Sequence, residues 1–350
     1  MGSWLAACGT AQPTAPDAAG DFEFRSGRTT LSGVYDPPST DEPARGLVLF
    51  IHGYGPSDVR GWNMYAELRE RFNDLGFATA VWDKPGQGRS GGEFDINQPV
   101  RSSADEVVAA ARHLRELDVP GAHNIGLWGI SRAGWIAPLA LSRDEALTFW
   151  ISVAGTTAED NFPHLLLSNL PHEGGTEEEA TRLRGEWQAG CEALRTGAPY
   201  ERYLAATETL RANEYILGMR GAWPSRLQYG LQQARCKDGS CPETDDALCA
   251  YVFVEAFDRM LAELDVDVLA LFGERDLNID WRRTRTLYED TIGRNPEASL
   301  SIVTFPEADH NIDRSETGSL REMQSRDGAV KADGYYDVQA EWLARQGRTP

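Results

Sequence analysis

Apolar residues gather in six short segments along the chain: Gly46–Ile51, Phe77–Trp82, 124–130, Leu147–Val153, 266–272 and Ser299–Phe305. Each has the length and the Val, Ile, Leu and aromatic content of a β-strand, and each ends in polar or glycine-containing sequence. Two further short runs, 22–24 and 34–35, form an opening hairpin. A helix is expected over 103–117, and a helix-forming stretch follows Ser131 directly. Between the strand ending at Val153 and the one beginning near 266 lie more than a hundred residues, far too many for a loop in a compact domain. Their pattern is helical, with apolar residues three and four apart among charges at Glu177–Arg195, 200–211 and 247–264. The organisation expected is a flexible segment over 1–20, an α/β core over 21–155 and 265–350, and a helical cap over 156–264.

Length agrees with one large α/β domain that carries an insertion, since 350 residues exceed a small domain. The 54 acidic side chains outnumber the 34 basic ones, giving a net charge of −20. Nucleic acid and anionic membrane surfaces repel such a polyanion, so neither is expected as a partner. No apolar run approaches the length of a transmembrane helix. Nearly all the positive charge is arginine, with lysine only at positions 84, 237 and 331.

The chemistry is announced at the end of the third of these strands. Residues 124–134 run from an apolar strand through Gly129-Ile130-Ser131-Arg132-Ala133-Gly134 into a helix, the pattern of a nucleophile elbow. A serine on so tight a turn is held in a strained conformation with its hydroxyl above the sheet, and only small neighbours fit around it. The common form has glycine two residues after the serine; Ala133 stands there in this chain. Serine is a weak nucleophile at neutral pH and needs a histidine to take its proton and a carboxylate to orient that histidine. Of the six histidines, only His310 follows a strand near the C-terminus, and Asp276 follows the strand before that. The order is therefore Ser131, Asp276, His310, each at the C-terminal end of an expected strand, where open α/β sheets build their sites.

In this order the chain resembles the α/β-hydrolase superfamily over roughly 22–155 and 265–346. The glycine-containing run His52-Gly53-Tyr54-Gly55, the run 83–90 and the opening hairpin match that family as well. The resemblance implies a mostly parallel central sheet with helices on both faces, and a cap that shapes the substrate pocket. It also implies an oxyanion hole made by the backbone amides of Tyr54 and Arg132. Other residues have plainer readings. His52 braces the oxyanion loop, His113 is a surface or packing residue, Asp83 is structural and Asp309 caps a loop. Glu274 and Asp280 rival Asp276, but the family's Gly-x-x-Asp pattern selects Asp276. Among the aromatic residues of the cap, Phe162, Trp187, Tyr203, Tyr215, Trp223, Tyr229 and Phe253 are candidates to line a pocket; for any one of them, a place in the cap's own core is the more economical reading.

The activity implied is hydrolysis of a small carboxylic ester through an acyl-enzyme, with no metal or organic cofactor. Two alternatives stand beside it: a peptidase similar to the prolyl oligopeptidase branch, for whose propeller there is no room or repeat, and a non-catalytic binding protein on the same fold. Four cysteines in the cap suggest two disulfides, Cys236–Cys241 with Cys191–Cys249 among three possible connectivities, and hence an oxidising compartment. A zinc site is the alternative, but the spacing is not that of a zinc knuckle. The fifth, in Leu5-Ala6-Ala7-Cys8-Gly9, looks like a truncated bacterial lipoprotein signal, although a basic start and a long apolar stretch are missing before it. Lipidation of Cys8 would attach the protein to a membrane and locate it at the cell envelope; periplasmic or secreted forms fit equally, and a cytoplasmic location is the alternative.

Overall fold

The computed structural model describes residues 20–96, 98–157, 161–220, 222–235, 254 and 256–346. Eight strands form one sheet: β1 (Gly20–Ser26), β2 (Thr29–Asp36), β3 (Gly46–Ile51), β4 (Phe77–Trp82), β5 (Ile125–Ile130), β6 (Leu147–Val153), β7 (Asp267–Gly273) and β8 (Ser299–Phe305). Their spatial order is β1-β2-β4-β3-β5-β6-β7-β8. β2 runs antiparallel to both its neighbours, and every other pairing is parallel. All residues of β3 and β4 are buried, which is why those strands read as unbroken apolar runs rather than as alternation. The six apolar segments appear as strands within one residue of their expected ends.

The chain passes from β3 out to β4 and then back across to β5, so the strand order reverses between β3 and β5. At such a reversal the loops leaving the two strands diverge and open a crevice at their C-terminal ends. Helices Ala66–Asp74, Val100–Glu116, Ala133–Leu141, Trp281–Asp290 and Tyr335–Leu343 pack on the sheet. Trp128 of β5, almost wholly buried, donates its indole N–H to Gln339 Oε1 at 2.9 Å and ties the centre of the sheet to the last helix.

Between β6 and β7 the described residues are helical, with Phe162–Asn169, Glu177–Arg195, Tyr200–Ala206, Glu208–Ala212, Glu214–Arg220 and Arg226–Arg235. They share an apolar core of their own, built on Leu166, Leu183, Trp187, Tyr203, Leu210 and Tyr229. Two details differ from the sequence pattern. The helix expected over 200–211 is broken at Thr207, whose hydroxyl donates to the Tyr203 carbonyl at 2.8 Å while its backbone leaves the helical region, a local competition typical of threonine. Of the stretch 247–264, the described helix Phe257–Ala262 packs with the sheet rather than with the insertion, because Phe257, Leu261 and Leu264 face the main core. Cys191 is buried and disulfide-bonded. Cys8, Cys236, Cys241, Cys249 and Phe253 lie outside the described residues. No helix among those described is long and apolar enough to cross a membrane.

Candidate active site

Ser131 follows β5 with φ +58°, a left-handed backbone that a non-glycine residue holds only when its surroundings impose it. Here they do. The Ser131 amide donates to the Val153 carbonyl at 2.9 Å, and its carbonyl accepts from the Gly134 amide at 2.7 Å. A Cβ on Gly134 would stand 2.8 Å from both Gly155 Cα and Thr156 N, and one on Gly129 would stand 2.5 Å from the Ala133 methyl. The turn therefore demands no side chain at 129 or 134 and accepts the single methyl at 133, which accounts for the departure from the usual glycine.

Asp276 and His310 arrive from β7 and β8 on the same edge of the sheet. His310 Nδ1 and Asp276 Oδ2 are 2.8 Å apart and both residues are buried. The other carboxylate oxygen, Oδ1, accepts from the Asn278 amide at 2.7 Å and the Ile279 amide at 3.1 Å. Held by these three hydrogen bonds, the carboxylate fixes the ring and leaves Nε2 free of the acid. Burial by itself lowers the pKa of His310, but the charge and hydrogen bond of Asp276, with a smaller contribution from Asp309, outweigh it and raise the value above 6.5. Gly273 explains the Gly-x-x-Asp pattern physically: a Cβ there would meet the carbonyl oxygens of Asp309 and Ala308 at 2.2 and 2.4 Å. Only glycine lets the His310 loop lie against the end of β7.

The rival acids are engaged elsewhere. Glu274 accepts from Thr304 Oγ1 at 2.7 Å, and Asp280 caps the helix Trp281–Asp290 by accepting from the Arg283 amide. Asp309 does brace its loop, accepting from the Asn311 and Asp313 amides. Arg326 bridges Asp309 and Asp313 at 2.7 and 3.0 Å, and Lys331 bonds Asp313 and the Asn311 carbonyl. These contacts hold Ile312, a β-branched residue at φ +58°, two residues from His310. His52 lies against the Trp82 carbonyl at 2.6 Å and Tyr65 Oη at 3.3 Å. Burial, reinforced by Lys84, pushes its pKa down to about 4, so it stays neutral and serves as a brace.

The loop after β3 abuts the elbow: a Cβ on Gly53 would lie 3.5 Å from Ser131 Cβ. Tyr54 is half exposed and meets Trp135 edge-on at 6.5 Å, with the Arg132 guanidinium 5.4 Å from its ring centre. Arg132 begins the helix Ala133–Leu141, where backbone amides have no partner within the helix. Its side chain is buried and bonds Ser103 Oγ and the Gln98 carbonyl. Glu106 joins this network through Gln98 at 2.6 Å, and burial pushes its pKa up to about 7. One residue that sequence reasoning passed over is central: Lys84 Nζ donates to the carbonyls of Gly53 at 2.6 Å and Gly55 at 2.7 Å, on either side of Tyr54. Its signal was the scarcity of lysine, because both described lysines, 84 and 331, brace loops of this site. Of the insertion's aromatics, Trp187, Tyr203 and Tyr229 are buried in its own core, and Tyr215 and Trp223 pack against it.

An eight-stranded, mostly parallel sheet with an elbow serine after β5 and an acid–histidine pair after β7 and β8 defines an α/β-hydrolase. The family described as Serine aminopeptidase, S33, matches residues 42–168. No curated protein matches the sequence. Among solved structures, the esterase Pf2001 of Pyrococcus furiosus is similar over 94% of this chain and 92% of its own, with 14% identity and a TM-score of 0.50. The proline iminopeptidase of Mycobacterium smegmatis is similar over 94% and 99%, with 13% identity and a TM-score of 0.51. The 2,6-dihydroxy-pseudo-oxynicotine hydrolase is similar over 95% and 69%, with 16% identity and a TM-score of 0.52. The chain has the α/β-hydrolase fold, with a hydrolase family model matching its first half, and its broad class is that of a hydrolase.

Proposed function

We propose that the protein is a serine hydrolase that cleaves carboxylic esters through an acyl-enzyme. The observation that carries this reading is the buried His310–Asp276 pair at the C-terminal ends of the parallel strands, the same end at which Ser131 sits in a left-handed elbow. In the reaction, Ser131 Oγ attacks the ester carbonyl while His310 Nε2 takes its proton, and Asp276 stabilises the imidazolium. The Tyr54 and Arg132 amides stabilise the oxyanion, the alcohol leaves with the proton from His310, and water activated by the same ring releases the acid. Esters are favoured over peptides because aromatic rings beside the elbow suit an apolar acyl or alcohol group. The side chains flanking the elbow, Tyr54, Trp135 and Arg132, are aromatic or cationic. The insertion serves as the cap that selects the ester, stapled by disulfides, and a lipidated Cys8 attaches the enzyme to the envelope; intact-mass measurement of the protein purified from membranes tests that attachment.

The test is covalent. A fluorophosphonate probe should label Ser131 in the parent, and p-nitrophenyl esters should turn over faster than proline p-nitroanilide. Labelling that persists in Ser131→Ala would remove the nucleophile assignment, and a preference for the anilide would replace the ester reading with the peptidase one.

A further inference from the structure

The first helix of the insertion, Phe162–Asn169, is bordered by asparagines. Asn161 precedes its first turn and Asn169 closes its last, eight residues on. Both reach the loop that holds Asp276. Asn161 Nδ2 donates to the Asn278 carbonyl, and Asn169 Nδ2 donates to the Leu277 carbonyl at 3.4 Å. These two carbonyls belong to the very peptide units whose other ends, the Ile279 and Asn278 amides, donate to Asp276 Oδ1. Because a peptide unit is planar, fixing its oxygen fixes the direction of its N–H. A hydrogen bond accepted at the carbonyl also polarises the unit and strengthens the bond its N–H donates, by roughly 10–30%.

Asn169 is built to hold that position. It is fully buried, its Nδ2 also donates to the Leu165 carbonyl at 2.8 Å, and its Oδ1 accepts from the Leu320 amide at 2.7 Å. Leu320 opens the helix Leu320–Ser325, downstream of the His310 loop. One amide group thus joins the insertion, the acid loop and the segment that follows the histidine.

We propose that Asn161 and Asn169 are positioning residues for the catalytic acid, so that the seating of the insertion on the sheet domain sets the alignment of Asp276 and, through it, of His310. The proposal rests on the Ser131–His310–Asp276 reading above. It gives the insertion a role in turnover besides substrate choice: an ester that keeps the helix seated reacts with an aligned acid, and one that lifts the helix does not.

A double-mutant cycle tests it. Asn161→Ala, Asn169→Ala, Asp276→Asn and the two double variants are compared by kcat and KM for p-nitrophenyl acetate, by the rate of fluorophosphonate labelling, and by thermal unfolding. Each asparagine variant should lower kcat by about threefold to tenfold, a size usual for indirect coupling, with KM near the parental value. In the Asp276→Asn background neither should lower kcat or labelling further, although any effect on stability should persist. A structural role alone would lower stability without this non-additivity in kcat. If Asp276→Asn is severe while the asparagine variants are silent, or their losses multiply with it, the positioning proposal is overturned and the triad stands. If Asp276→Asn is itself silent, the triad reading falls and takes the proposal with it. Asn161 is only half buried, so Asn161→Ala decides the matter should Asn169→Ala fail to fold.

Discussion

Lys84→Met separates the support of the oxyanion loop from the stability of the fold. The ammonium donates to the carbonyls of Gly53 and Gly55, and the first of these belongs to the peptide whose N–H is that of Tyr54. Hydrogen bonds from a charged donor contribute about 1.5–3 kcal/mol each, so the pair contributes about 3–6 kcal/mol. Opposing it is the cost of placing the charge there. Burial, and after it Arg132, pushes the Lys84 pKa from 10.5 down to about 8, a displacement that corresponds to about 3.4 kcal/mol against the charged form. Replacing the ammonium with an apolar group of similar length therefore costs only about 0–2.5 kcal/mol of stability, the difference of those two figures. Turnover has no such compensation. A Tyr54 amide free to rotate by a few tens of degrees no longer faces the developing oxyanion, and losing one such donor lowers kcat about a hundredfold to a thousandfold. The assay pairs kcat for p-nitrophenyl acetate with thermal unfolding of the same preparation. A variant with parental kcat would refute the reasoning, since either Lys84 would not hold the Tyr54 peptide or that amide would not serve the oxyanion.

Three further outcomes follow from the same contacts. Because the His310 pKa is raised above 6.5 by Asp276 and Asp309 against the effect of burial, kcat/KM should rise with pH through a midpoint above 6.5, as the ring becomes the neutral base. The stabilisation from that raised pKa is fully present below 6.5 and is lost as pH rises through the folded value. Stability should thus decline across the window in which activity appears, and an activity midpoint below 6.5 would contradict the assignment. Gly134→Ala should destabilise the fold by about 1–3 kcal/mol through overpacking, because its methyl meets the backbone of Gly155 and Thr156. Ala133→Gly should cost no more than about 1 kcal/mol and keep the activity, and equal melting temperatures for the two variants would argue against the packing account of the elbow. Reduction of the Cys191 disulfide should expose the insertion to trypsin before the sheet while hydrolysis of small activated esters continues; cleavage of both regions at the same rate would show that the bond does not staple the insertion.

The parts of this molecule that were legible in its sequence are those whose cause is local. A strand buried on both faces must be apolar at successive positions, so β3 and β4 appeared as unbroken runs. An elbow requires missing side chains at fixed offsets from its serine, and Gly129, Ala133 and Gly134 display them within six residues. Asp276 was reachable because Gly273 must admit the His310 loop three residues earlier. What no period or spacing could reveal is the polar bracing that aims these groups. Lys84 reaches the Tyr54 loop across about thirty residues, and Asn161 and Asn169 reach the acid loop across more than a hundred. Each is a single polar side chain in an ordinary setting, Asp-Lys-Pro-Gly or a leucine-rich helix. It acquires its meaning only when folding brings it to a carbonyl whose peptide N–H faces the chemistry. The breakage of the helix at Thr207 has the same character, since the hydroxyl's choice of the Tyr203 carbonyl depends on the packing of the surrounding helices. The placement of Ser131, Asp276 and His310 is thus written in short-range constraints at the ends of β5, β7 and β8. Their orientation, on which turnover depends by orders of magnitude, is carried by long-range hydrogen bonds through the backbone.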